Sequence, residues 1–165
     1  RPIGIVDISD RDTGFIIQKY ANVTSTGDSG IDQTFVDTDF PLFRLADIYL
    51  MYVEAHLRGG AGADPVDAVN YMNALRTRAN NPQDNLTLTD LTLDFIIDER
   101  ARELHWEAHR RQDLIRFGRF TGGAYNWAWK GNGSNGISIP SYRKLYPIPS
   151  ASLASNPNLS QNDGY

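Results

Sequence analysis

The chain has 165 residues, a formal net charge of −4 and no cysteine. This length fits a single domain. The lack of cysteine excludes a disulfide framework, a zinc finger, an iron–sulfur site and a thiol nucleophile. No apolar run approaches the roughly 20 residues that a membrane-spanning helix needs, and the mild negative charge argues against a nucleic-acid-binding surface. The chain starts at Arg1-Pro2, without Met or an apolar leader, which indicates processing or a piece of a longer protein.

Residues 1–41 lack helical periodicity and predict a lead-in of strand and loop. The β-branched and aromatic residues 14–21 predict one short strand. The polar stretch 24–30 predicts a loop. We therefore expect little strand content, most of it before residue 40.

Residues 42–118 predict a helical core that opens with a helical hairpin. The segment 42–58 is apolar almost all round, which is typical of a helix buried on several sides. Gly59-Gly60 ends it. A second helix, over 65–80, begins with an Asp cap and a Pro in the first turn. The short connection makes these two helices antiparallel neighbours.

A third helix is predicted over 92–108, where apolar residues recur at helical spacing. One or two further turns follow over 113–117. Residues 119–165 are rich in Gly, Asn, Ser and Pro and predict an irregular but ordered tail. The predicted fold is mainly α, with tetratricopeptide-like helical hairpins and a long, mostly irregular C-terminal tail, in one domain over 1–165.

Three acidic residues of the predicted third helix, Glu99, Glu103 and Glu107, fall on one stripe. Paired carboxylates serve as acid and base in glycosidases, so a glycan-cleaving hydrolase is one hypothesis. Arginines interleave with these acids, and a nearby arginine lowers the pKa of a carboxyl group. A lowered pKa opposes the role of a general acid, so the pattern favours structural ion pairs. The expected ion-pair network comprises Arg44, Asp47, Glu54, Glu99, Arg102, Glu103, Glu107, Arg110 and Arg111.

Within this network the sequence predicts specific pairs. Asp98–Arg102 and Glu107–Arg111 have i,i+4 spacing, and Arg44, Asp47 and Glu54 are expected to pair with one another. The interleaved acids also cancel the basic charge between residues 100 and 119, which argues against phosphate contacts with nucleic acid.

His105 and His109 stand four residues apart, on one face if the third helix continues through them. The metalloprotease pattern needs Glu directly after the first His, but Trp106 holds that position. No third ligand is evident, so the sequence predicts no metal and no cofactor.

Tyr125, Trp127 and Trp129 alternate within a glycine-rich stretch. Such rings can stack on sugar faces, or they can cover apolar helix surface. We expect Trp127 and Trp129 to be mainly structural and buried, and Tyr125 to stay partly exposed.

Several segments together resemble the SusD/RagB family, in the family's order. The similar segments are Phe40–Ala55 (FPLFRLADIYLMYVEA), Ala74–Ala79, Ile97–Leu104, Glu107–Gly118, Leu145–Pro149 and Asn156–Tyr165. Two residues depart from the family pattern: Ala108 replaces a usual Gly, and Asp163 replaces a common Pro. Ala108 predicts a helix that continues smoothly through this point.

The resemblance implies a non-catalytic, cell-surface lipoprotein of the Bacteroidota outer membrane. Such proteins bind glycans or other nutrients and form the lid of a SusC-like TonB-dependent transporter. This chain would be the C-terminal part, without the lipid anchor that alone attaches the protein to the membrane, and the main glycan pocket would lie upstream. A hydrolase and a helical-repeat scaffold for protein partners remain the alternatives.

Overall fold

The computed structural model describes residues 3–7, 9–15, 19–32, 34–80 and 85–165. Within these ranges the chain is mainly helical, as predicted. The helices are α1 (Leu45–Leu57), α2 (Pro65–Arg78), α3 (Leu93–Glu103), α4 (Arg110–Arg116) and α5 (Ser150–Ser155), with 3-10 turns at Leu88–Asp90, Lys130–Asn132 and Ser141–Lys144.

Extended pairing in the described ranges consists of two isolated antiparallel bridges, Val23–Ser29 and Gly122–Ile139. The predicted strand over 14–21 lies partly outside the described residues. Its described members, 14–15 and 19–21, form no strand. None of the described helices is long and apolar enough to cross a membrane.

The chain divides into two compact units. The helical unit comprises residues 17–110, and the second unit comprises residues 1–16 together with 111–165. The helical unit contains α1, α2 and α3, whereas the second unit contains most of α4 and the tail.

The α1–α2 hairpin forms as the sequence predicts. Asp64 caps α2 by accepting a hydrogen bond from the Val66 amide at 2.7 Å, and its own amide donates to the Tyr52 hydroxyl. The Tyr71 ring stacks on Tyr49 with centroids 4.3 Å apart. The core of the helical unit is formed by Ala46, Leu50, Val53, Ala68, Met72, Leu75, Leu91, Ile96, Ile97 and Leu104.

The expectation that the first helix is buried on several sides is wrong. It begins at Leu45, and it packs against α2 and α3 with a single face. Leu45, Ile48 and Met51 on the opposite side are exposed. The buried positions of α1, among them Leu50 and Val53, lie together on one face, and the described residues leave the opposite side exposed.

The third helix is shorter than predicted. It ends at Glu103, and the backbone then turns through Trp106 at φ 65° and Ala108 at φ 62°. Left-handed residues cannot continue the helical hydrogen-bond ladder. The expectation of a smooth helix through Ala108 is therefore wrong, and α4 starts three residues earlier than the predicted turns.

The tail after Gly118 is mostly irregular, as expected, with two 3-10 turns and the six residues of α5. The Tyr165 hydroxyl donates to the Leu145 carbonyl at 2.8 Å, and its ring meets Tyr142 edge-on. These contacts hold the end of the chain against the Ser141–Lys144 turn.

Candidate functional site

The glycine-rich stretch of the second unit forms a defined loop, residues 122–137, which we call the aromatic loop. The Gly122 amide donates to the Ile139 carbonyl at 2.8 Å and closes its base. Inside, the Trp129 amide donates to Gly133, and Ile137 donates to the Lys130 carbonyl. The loop is therefore held by its own backbone hydrogen bonds.

Glycine is required at Gly136, where φ is +73°. A Cβ at this position would lie 2.5 Å from the Trp127 carbonyl oxygen. Only glycine combines a left-handed backbone with so close an approach. The glycine-rich composition of this stretch, which predicts irregular structure, thus specifies a tightly folded loop around Trp127.

Lys130 is the central side chain of the aromatic loop, and it is only 2% exposed. Its ammonium nitrogen donates to the Tyr125 carbonyl at 2.6 Å and lies 5.0 Å from the Trp127 ring centroid. A buried ammonium is stable only with such partners. The sequence indicates Lys130 only as a polar donor beside the aromatic rings and does not predict its burial, because a lysine among glycines usually indicates a solvated surface.

The three aromatic residues of this loop have unequal exposure. Trp127 is 40% exposed, and its ring and that of Tyr125 form a T-shaped pair with centroids 5.7 Å apart. Tyr125 is half-buried beneath the guanidinium of Arg119, and Trp129 is also half-buried. Tyr125 is partly exposed, as expected. The expectation that Trp127 and Trp129 are buried is wrong, since Trp127 is exposed and Trp129 is only half-buried.

In the helical unit the acidic stripe is fully engaged with basic side chains. Glu99 contacts Arg76 and Arg102, and Glu103 contacts Arg44 at 2.6 Å and Arg78 at 2.7 Å. Glu107 lies beyond the end of α3 and contacts Arg44 and Lys19. The three carboxylates tie α1, α2 and α3 together.

The charge of Glu107 is set by two opposing effects. Burial by itself raises the pKa of this carboxyl, but hydrogen bonds and charge from Arg44 and Lys19 outweigh burial. The pKa of Glu107 is consequently lowered from its ordinary value. A carboxylate held ionised in this way does not supply the protonated acid that glycoside hydrolysis requires.

The remaining members of the expected network have other partners than predicted. Asp47 lies 2.9 Å from Arg100, and Glu54 lies 2.8 Å from Arg58. Arg44 contacts Glu103 and Glu107, so the expected pairing within α1 is wrong. For Arg44 and Asp47, long-range contacts to the segment 100–107 replace the local ones, whereas Glu54 pairs with Arg58, four residues further along the chain.

Arg110 and Arg111 both donate to backbone carbonyls. Arg110 donates to Ile97 at 2.8 Å, and Arg111 donates to Arg143 and Lys144. The predicted helical Glu107–Arg111 pair has no structural basis, because Glu107 precedes α4 and lies outside any helix.

The two histidines do not share a helix face, because α3 ends before His105. Among the described residues, no group of three or more His, Cys, Asp or Glu side chains is arranged to hold a metal ion.

Comparison with known proteins identifies the family. The sequence model of the SusD family matches residues 6–165. The chain belongs to the SusD family. It is 46% identical over 158 residues to the starch-binding protein SusD of Bacteroides thetaiotaomicron, an alignment that covers 96% of this chain and 27% of that protein. It is 38% identical over 128 residues to the SusD-like protein P25 of Formosa agariphila, covering 74% of this chain and 23% of that protein.

A solved structure supports the same assignment. A crystal structure of a SusD superfamily protein from Parabacteroides distasonis aligns with a TM-score of 0.56 and 25% identity, over 82% of this chain and 31% of that chain. This SusD-family chain thus spans about a quarter of the length of the curated relatives that it matches.

Proposed function

We propose that this protein is a non-catalytic, glycan-binding component of an outer-membrane nutrient-uptake complex. The observation that carries the proposal is the SusD-family match over residues 6–165, together with the 46% identity to a protein named as starch-binding. The fully paired acidic stripe supports a binding role over the hydrolase hypothesis, since Glu107 is held ionised by Arg44 and Lys19.

The same family membership supports a place and a partner. SusD-family proteins are surface lipoproteins of the outer membrane in Bacteroidota, and the proposed partner is a SusC-like TonB-dependent transporter. Attachment to the membrane would be through an N-terminal lipid anchor. Labelling of intact cells with a membrane-impermeant reagent, and co-purification of the transporter with a tagged copy, test this part. A protein labelled only after lysis, and purified alone, would contradict it.

Within this chain, Trp127 is the side chain proposed to contact sugar. Its exposed ring is contacted by the Lys130 ammonium and by the Tyr125 ring. A fixed, half-open aromatic ring suits stacking on the C–H face of a sugar, because little conformational freedom is lost on binding. Tyr125 and Trp129 are proposed to hold the loop in shape.

The experiment is calorimetric titration of the full-length protein with maltoheptaose and other neutral oligosaccharides. The Trp127→Ala variant is expected to bind more weakly by roughly 1–3 kcal/mol, by analogy with stacking of bases on aromatic side chains. Trp106→Ala is the matched control, since Trp106 is 67% exposed but lies in the helical unit.

The outcomes separate the three hypotheses. Equal loss of affinity in both variants would remove Trp127 from the site. Absence of binding to every oligosaccharide would contradict the glycan-binding function and favour the protein-scaffold alternative. Sustained release of reducing sugar, abolished by Glu103→Gln, would establish the hydrolase.

A further inference from the structure

The second unit contains a cleft of 590 Å³ beside the Ser141–Lys144 turn. We call it the Arg143 cleft; its lining includes Arg111, Phe120, Asn132, Arg143, Tyr146 and Tyr165. The volume lies within the range of roughly 300–1,000 Å³ that is usual for small-molecule sites. It lies apart from Trp127, which does not line it.

Arg111 is a half-buried lining residue that contacts two of the aromatic rings of the cleft. Its guanidinium carbon lies 4.1 Å from the centroid of the Tyr146 ring and 4.8 Å from that of Phe120. The same side chain donates to the carbonyls of Arg143 at 2.8 Å and Lys144 at 3.2 Å. The Arg111 side chain therefore holds the Ser141–Lys144 turn and the Phe120 and Tyr146 rings in place.

Two tyrosine rings are open at the surface of the cleft. Tyr146 is 68% exposed and Tyr165 is 41% exposed. The Tyr165 hydroxyl is anchored on the Leu145 carbonyl, which fixes the position of its ring. Exposed rings with fixed positions provide stacking surfaces for a sugar at small entropic cost.

Arg143 supplies charge that is not neutralised within the described residues. Its guanidinium lies over Tyr142 at 5.3 Å and Tyr165 at 5.8 Å, but it donates no hydrogen bond to any described residue. None of the described lining residues is Asp or Glu. A planar guanidinium with open donors matches a carboxylate in a two-point contact.

We propose that the Arg143 cleft binds an acidic sugar residue, with the uronate carboxylate on Arg143 and the sugar ring against Tyr146. This inference rests on the proposed glycan-binding function and specifies the class of glycan. Neutral sugar would be held elsewhere, at Trp127, so the two sites respond to different ligands.

The test compares oligogalacturonate with its methyl ester, since the two probes share every sugar ring and differ in charge. Calorimetric titration of the full-length protein is expected to show roughly 10- to 100-fold tighter binding of the free acid, as expected for charge-assisted hydrogen bonds. Arg143→Gln should remove this preference. Lys144→Gln should retain it, because Lys144 is exposed on the same turn but does not line the cleft.

Melting temperatures of both variants within a few degrees of the unmodified protein would establish that they fold. Equal affinity for acid and ester in the unmodified protein would overturn the inference, as would equal behaviour of the two variants. If maltoheptaose still binds in those cases, the proposed function stands and only the acidic-sugar assignment fails. If no oligosaccharide binds, the proposed function itself fails.

Discussion

The Nε atom of Arg44 lies 2.6 Å from Oε2 of Glu107. This contact joins the residue that precedes α1 to the turn that follows α3, 63 positions later in the chain. Arg44 also donates to the Glu103 carboxylate and to the Glu103 backbone carbonyl, each at 2.6 Å. One guanidinium thereby fixes both the start of the hairpin and the non-helical segment after α3.

Replacing Arg44 by Met is expected to destabilise the protein by about 3 kcal/mol, because Glu107 stays buried with one cation fewer. Chemical denaturation measures this loss. Arg78→Met is the control: Arg78 also contacts Glu103, but its side chain is 60% exposed and Glu103 keeps Arg44. The control should lose under about 1 kcal/mol. Equal losses of unfolding free energy in the two variants would show that Arg44 stabilises the protein no more than an exposed surface cation does.

Stability is expected to fall in acid through Glu107. The pKa of Glu107 is lower in the folded chain than its ordinary value of 4.5. The stabilisation that ionised Glu107 provides is therefore complete at pH values above the ordinary pKa. It is lost as the pH falls through the lowered pKa of the folded chain. The gap in free energy of unfolding between the native protein and Glu107→Gln should shrink as pH falls below about 4.5. A gap that stays constant or widens in acid would contradict this assignment.

Ala108→Gly is expected to stabilise the protein, because Ala108 holds a left-handed backbone at φ 62°. Relief of this strain, set against the greater freedom of glycine in the unfolded chain, should give roughly 0.5–1 kcal/mol. Ala101→Gly, the same change within α3, should instead cost roughly 0.5–1 kcal/mol. Opposite signs in thermal or chemical denaturation are the predicted result. Loss of stability in both variants would show that the backbone of Ala108 is not strained.

Gly136→Ala is expected to disrupt the aromatic loop, since the added Cβ meets the Trp127 carbonyl oxygen at 2.5 Å. Gly122→Ala is the matched control, because Gly122 also has a positive φ but its Cβ would meet no atom within 4 Å. Both changes incur the left-handed penalty of about 1 kcal/mol. Gly136→Ala should lose roughly 1–3 kcal/mol more and shift tryptophan emission. Matching losses and unchanged emission would argue against the close approach at Trp127.

The sequence by itself determined the helical hairpin and the family. Asp64-Pro65 and Gly59-Gly60 mark helix ends through local backbone chemistry, which requires no distant partner. The apolar spacing of α2 and α3 likewise depends on neighbouring residues alone. Several family-like segments in order then identified the chain more firmly than any single residue.

Only the tertiary structure decided where the charges and rings lie. Arg44 and Asp47 are neighbours in sequence, yet each pairs with the segment from 100 to 107. The helix α3 ends at Glu103 because the backbone then turns through left-handed conformations at Trp106 and Ala108. Both residue types are compatible with a helix, so the sequence gives no signal that the helix ends here. Arg119 covers Tyr125 and leaves Trp127 open, and burial of Lys130 follows from the way the loop closes. Such contacts join residues that no periodic sequence pattern relates. The partners of these charged and aromatic side chains are therefore set by tertiary packing and not by their spacing in the sequence.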